Sequence, residues 1–155
     1  MGGTVEAIYI SAVAQAPMRG VDEIEAVAGA GLEGDRYAAG AGSFSKNAVA
    51  GRALTLIESE AVEAARRDYD VDLGPADTRR NVVTRGVALN HLVGKEFTIG
   101  TVRVVGVKLN EPCEHLERVS GVDGIRKALT HRGGLRADIL AGGTVRIGDP
   151  VVWPG

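Results

Sequence analysis

The single thiol of the chain lies in Glu111-Pro112-Cys113-Glu114-His115-Leu116, directly after an apolar run that ends at Leu109-Asn110. The spacing predicts a helix here, with Pro112 in its first turn. A cysteine at a helix N-terminus has its thiolate favoured by the aligned peptide dipoles, which makes it a nucleophile or a metal ligand. Glu111 and Glu114 act against this, because neighbouring carboxylates disfavour a further negative charge. A soft metal ion removes the conflict, since coordination deprotonates a thiol outright. Single cysteines are mostly small buried apolar residues, but the charged neighbours of Cys113 argue for chemistry. Cys113-x-His115 also pairs a thiol with an imidazole, yet zinc needs three or four protein ligands. The remaining histidines, His91 and His131, are scattered along the chain, so zinc is not expected.

Arginines supply the second set of candidates. Gly34-Asp35-Arg36 and Thr78-Arg79-Arg80-Asn81 each combine arginine with a residue that can orient it, and His131-Arg132-Gly133-Gly134 precedes another apolar run. Paired guanidinium forks beside an amide suit phosphate or another planar oxyanion. Arg36, Arg79, Arg80 and Arg132 are therefore candidate anion contacts, with Asp35 and Asn81 setting geometry. Arginine outnumbers lysine 14 to 4 in the chain, which fits fixed, forked contacts rather than general solubility.

Other templates fail. Gly29-Ala30-Gly31-Leu32-Glu33-Gly34 matches the dinucleotide glycine pattern, but that mechanism needs the last glycines to open a helix whose N-terminus holds the pyrophosphate. The residues after Gly34 have no helical period and no further βα unit follows. No Gly-x-Ser-x-Gly elbow and no His-Glu-x-x-His helix occurs, which removes the common hydrolase arrangements.

The elements that must position these residues are mostly strands. Thr4–Ala12, Asp22–Ala28, Arg52–Ile57 and Asn81–Thr84 read as strands from alternation or apolar runs. In Asp22–Ala28, Ile24, Ala26 and Ala28 share one face, opposite Glu23 and Glu25. Glu96–Ile99 with Val102–Leu109, and Thr144–Ile147 with Val151–Trp153, are predicted hairpins turning at Gly100-Thr101 and Gly148-Asp149-Pro150. Gly29 to Gly51 has no period and reads as a long loop, of a length that in a compact domain is usually functional or mobile. One firm helix is predicted over about Glu58–Asp68, with Ser59 as its N-cap. Two shorter helices are expected near Pro112–Val119 and Val122–Leu129. Strands do not alternate with helices of 10–15 residues, so the fold class is mainly β, a barrel with a few peripheral helices.

Composition limits the partners. The 155 residues and 16.1 kDa correspond to one domain. One cysteine cannot build a disulfide framework, so a cytoplasmic protein is expected. A formal charge of −2 gives no drive towards nucleic acid. The longest charge-free stretch, Ala7–Met18, is too short for a membrane-spanning helix, and no secretory signal is read at the N-terminus.

Taken in order, the motifs resemble a known family. Gly34-Asp35-Arg36-Tyr37, Leu54-Thr55-Leu56-Ile57-Glu58 and Arg80-Asn81-Val82-Val83-Thr84 are followed by Leu92-Val93-Gly94-Lys95-Glu96-Phe97-Thr98-Ile99-Gly100. Then come Glu111-Pro112-Cys113, His131-Arg132-Gly133-Gly134-Leu135 and Ile147-Gly148-Asp149-Pro150-Val151. This series is similar to the MOSC domain, the C-terminal domain of molybdenum-cofactor sulfurases, which also exists as small stand-alone bacterial proteins. It runs from about Val5 to Val152, so a single MOSC-like domain over residues 1–155 is expected. Arg80 stands where the family usually has an acidic residue.

The resemblance implies a β-barrel-like fold and binding of molybdenum cofactor, a pterin dithiolene that carries a phosphate. It implies Cys113 as molybdenum ligand and catalytic residue, with Asp35, Arg36, Arg79, Arg80, Asn81, His115 and Arg132 around the cofactor. The implied reaction is molybdenum-centred reduction of N-hydroxylated compounds. One cysteine cannot hold an iron–sulfur cluster, so electrons would come from a separate donor protein. A second reading makes Cys113 a persulfide carrier served by a cysteine desulfurase, and a third makes the chain a non-catalytic cofactor-binding module. None of Lys46, Lys95, Lys108 or Lys127 lies in a Schiff-base motif, so pyridoxal phosphate is not expected on this chain. Stand-alone members imply a homodimer.

Overall fold

The computed structural model describes residues 2–36 and 51–154. Much of the predicted long loop, including the stretch from Tyr37 to Lys46, lies outside the described residues. The strands are β1 (Gly2–Ile10), β2 (Arg19–Val21), β3 (Glu23–Val27), β4 (Gly31–Leu32), β5 (Leu54–Glu58), β6 (Val82–Arg85), β7 (Glu96–Ile99), β8 (Val102–Leu109), β9 (Leu135–Ala141), β10 (Gly143–Arg146) and β11 (Pro150–Val152). The helices are α1 (Ser59–Tyr69), α2 (Glu114–Ser120) and α3 (Ile125–Ala128). Seven strands in the order β11-β7-β8-β9-β5-β6-β1 close into a barrel through β1–β11 pairing, with Gly2 opposite Val152. The mainly β class and the barrel with peripheral helices are thus as the strand periodicity indicates.

Alternation decides which side chains fill the barrel. Leu54 and Leu56 of β5, and Leu135, Ala137 and Ile139 of β9, point inward with Val104, Phe97 and Ile8. Their neighbours Thr55 and Arg136 are left on the outer face, directly opposite each other in the ladder. A second apolar layer joins α1, α3 and the 70s loop to the barrel wall through Ile57, Val62, Leu73, Val83 and Leu129. β5 and β6 are parallel, and α1 lies within the crossover such a pair requires.

Three local readings are corrected. First, β10 and β11 are not a hairpin. β10 pairs with β3 in a separate β10-β3-β4 sheet, while β11 pairs with β1 and β7. The turn between them is bonded to β1 on both sides, Gly148 N to Val5 O (2.8 Å) and Val5 N to Asp149 O (3.0 Å). Pro150, which has no N–H, then starts the barrel strand. Second, Ser59 is the first helical residue rather than the N-cap. Glu58 takes that place because β5 pairs through Glu58 with Thr84, and the Ser59 hydroxyl accepts from Arg85 instead (3.1 Å). Third, the apparent loop after Gly29 contains β4, whose Gly31 and Leu32 are both buried against β3.

Candidate functional site

A cleft opens on the outer face of the barrel, where β5 and β9 meet the segment leading into α2. Arg36, Arg52, Arg79, Arg80 and Arg136 line it together with Cys113 and His115. Thr55 and Asn110 are also on its wall. Among the described residues, five arginines and one carboxylate, that of Glu111, line it, in a chain whose formal charge is −2. Such a concave concentration of positive charge focuses the field on a small anion.

Cys113 is the N-cap residue of α2 and is exposed. Pro112 is therefore outside the helix, not in its first turn, because the chain stays extended through Cys113 (φ −138°, ψ 175°). α2 has only seven residues, and Arg36, Arg79 and Arg80 line the same cleft as the thiol. The two carboxylates beside it are engaged elsewhere. Glu111 accepts from the His131 backbone N–H (2.7 Å) and from His131 Nδ1 (3.0 Å), and Glu114 lies 4.0 Å from Arg126.

Backbone carbonyls and side-chain oxygens hold the arginines in place. Arg80 is 7% exposed and donates from Nε to Gly133 O (2.8 Å), from Nη1 to Thr78 O (3.1 Å) and from Nη2 to Asn110 O (2.6 Å). It braces three separate segments while keeping its charge beside the cleft. Gly133 and Gly134 make this approach feasible. Gly134 has φ +108°, and a Cβ there would stand 1.9 Å from Leu56 O. Arg79 ends a short 3-10 turn with φ +59° and donates to Ala16 O (2.7 Å). Arg36 lies over Asp35 (3.3 Å) and the Met18 sulfur (3.5 Å). Arg136 Nε donates to Asn110 Oδ1 (3.1 Å).

His115 has its pKa lowered, first by burial and then by the charges of Arg118, Arg79 and Arg36. Arg118 donates to its Nδ1 (3.2 Å), and arginine has no acceptor, so the neutral ring carries its proton on Nε2.

The predicted site residues divide into three groups. Arg36, Arg79, Arg80, Cys113 and His115 come together in the cleft. Asp35 and Asn81 are buried beneath it: Asp35 accepts from Ser11 N (3.0 Å), and Asn81 ties Thr55 to Tyr9 O. Arg132 faces another surface, where it binds Asp68 (3.1 Å) and approaches the Tyr69 ring. Arg52, Arg136, Thr55 and Asn110 were missed. Each stands alone in sequence, and the available signal was a polar residue at an outward position of an apolar strand or at its end.

This combination of a strand-built barrel and an arginine-rich cleft around a single thiol defines the class of protein. The MOSC domain family model matches residues 33–152, and the chain belongs to the MOSC domain family. Solved structures share the fold. The YuaD protein of Bacillus subtilis superposes with a TM-score of 0.80 at 17% identity, covering 97% of this chain and 94% of that one. YiiM of Geobacillus stearothermophilus gives 0.73 at 15% identity, covering 99% and 75%. YiiM of Escherichia coli gives 0.69 at 20% identity, covering 100% and 70%. No curated protein matches in sequence.

Proposed function

We propose that this MOSC protein binds molybdenum cofactor in the arginine-lined cleft, with the Cys113 thiolate as a molybdenum ligand. The observation that carries the reading is the convergence of one exposed thiol and five arginines on a single cleft. The donor set fits the group. A thiolate suits a soft metal, and forked guanidiniums suit the cofactor's phosphate. Among the described residues no cluster of three His, Cys, Asp or Glu side chains is placed to hold a bare ion. A metal in this cleft must bring its other ligands with it, and a dithiolene does so.

When bound, the cofactor supplies two-electron chemistry towards an N–O bond, with electrons from a separate donor protein. The chain's own residues do the holding. Arg36, Arg79 and Arg136 line the space where the phosphate and pterin bind. Arg80 fixes the Asn110–Cys113 segment against Gly133, and His115, bonded through Nδ1 to Arg118, lines the same cleft as the thiol. Molybdenum and pterin are to be measured per chain after expression in cells that make the cofactor. Near-stoichiometric amounts in wild type, lost in Cys113→Ser, are expected; absence of both groups from both proteins would falsify the reading.

The exposure of Cys113 also favours a second reading, a persulfide carrier. There the Cys113 thiolate attacks the outer sulfur of a desulfurase persulfide, and the desulfurase thiolate leaves. A terminal-sulfur mass on Cys113 without bound molybdenum would select it.

A further inference from the structure

Asn110 occupies the end of β8, three residues before Cys113, and is 6% exposed. Its main chain is committed on both sides, with N–H donating to Gly134 O (2.8 Å) and its carbonyl accepting from Arg80. Its side-chain Oδ1 accepts from Arg136 Nε. Because arginine can only donate, this bond also decides which way the amide is turned. The Nδ2 amino group remains. It has no hydrogen-bond partner among the described residues, and it is not one of the polar atoms sealed away from solvent. The residue opens on the cleft that it lines. A nearly buried amide donor without a partner is costly unless a ligand or water meets it.

We infer that Asn110 is a ligand-contact residue: its Nδ2 donates to one oxygen of a phosphate or similar tetrahedral oxyanion whose other oxygens meet the arginines. A guanidinium fork takes two oxygens in its plane, whereas a neutral N–H at the cleft wall engages a further oxygen without adding charge. Since Oδ1 orients Arg136 at the same time, one side chain directs both a cation and a neutral donor at one anion. The assignment rests on the cleft taking a phosphate-bearing ligand and does not require molybdenum.

The probe is inorganic phosphate, added to the purified full chain and followed by 1H–15N NMR of side-chain amides. Asn110→Asp identifies the Asn110 signal pair as the one it removes. That pair is expected to shift saturably, with the same half-point as the heat of phosphate binding, while the Asn90 pair stays in place. Phosphate binding that leaves the Asn110 pair unmoved overturns the assignment, as does failure of wild type to bind phosphate. A double-mutant cycle separates direct contact from an effect through Arg136. In the Arg136→Met background, Asn110→Leu is expected to lower phosphate affinity about tenfold further. No further loss would mean that Asn110 acts only by orienting Arg136. A chain that lacks molybdenum and pterin but keeps the Asn110 shift refutes the cofactor reading and leaves this one standing.

Discussion

Two sets of arginines in this molecule are held in different ways. On the outer surface Arg85 is clamped between Glu6 and Glu63, and Arg132 and Arg67 share Asp68. In the cleft, Arg79 and Arg80 donate to backbone carbonyls and Arg136 to an amide oxygen, while Arg36 also lies on the Asp35 carboxylate. A carboxylate both orients a guanidinium and neutralises it. A carbonyl orients a guanidinium without itself neutralising it. Exposed pairs of the first kind contribute little to stability, whereas a buried brace of the second kind is expensive to remove, because every carbonyl it satisfied is orphaned.

The largest test of this contrast is Gly134→Ala. With φ at +108° and Leu56 O in the way, the substitution is expected to cost more than about 3 kcal/mol and to pull β9 away from β5. Urea denaturation measures this. An unchanged midpoint would show that the Gly133-Gly134 approach is not tightly constrained.

Next, Arg80→Ala should destabilise by about 3 kcal/mol by orphaning three carbonyls, and Arg80→Lys should recover only part of this because an ammonium lacks the planar fork. Arg85→Ala, its surface counterpart, should move the midpoint little, with the difference disappearing in molar salt. Equal losses at the two positions would erase the distinction.

Smaller effects concern the anion. Arg79→Met should weaken phosphate binding about tenfold, the scale of one charge-assisted hydrogen bond, whereas Arg132→Met should leave it unchanged. Calorimetry decides this, and a loss at Arg132 would place the ligand elsewhere.

The subtlest effect is at His115, whose folded-state pKa lies below its ordinary value. The folded chain thus favours the neutral ring, so its share of stability is fully present above the ordinary value of 6.5 and is lost as pH falls from there through the lower folded-state value. Phosphate, by offsetting Arg79 and Arg36, should raise the pKa in an NMR titration. No response to phosphate would remove His115 from the field of the anion.

Much of this was legible in the chain. The β7–β8 hairpin follows from alternation around Gly100-Thr101, and α1 from its terminal signals, although Glu58 rather than Ser59 is the N-cap. Arg36, Arg79, Arg80, Cys113 and His115 were visible as local clusters, and they do share one cleft. The β10–β11 link was misread because a Gly-Asp-Pro turn looks the same whether its flanking strands bond to each other or to a third strand. Arg132 was misplaced because sequence proximity to Gly133 says nothing about which side of the turn a long side chain takes.

The sequence by itself determined the strand-rich class, the single thiol and its polar setting, and the excess of arginine over lysine. These are properties of residue type and local period. Tertiary structure alone decided that Arg52, Arg136 and Asn110 join the cleft while Arg132 leaves it. It also decided that Arg80 is a brace and that the Asn110 side chain, which lines the cleft, has its Oδ1 taken by Arg136. The reason is geometric: strand pairing brings residues from positions 36 to 136 to one patch of barrel wall. The hydrogen bonds formed there, rather than residue type, settle which donors remain for a ligand.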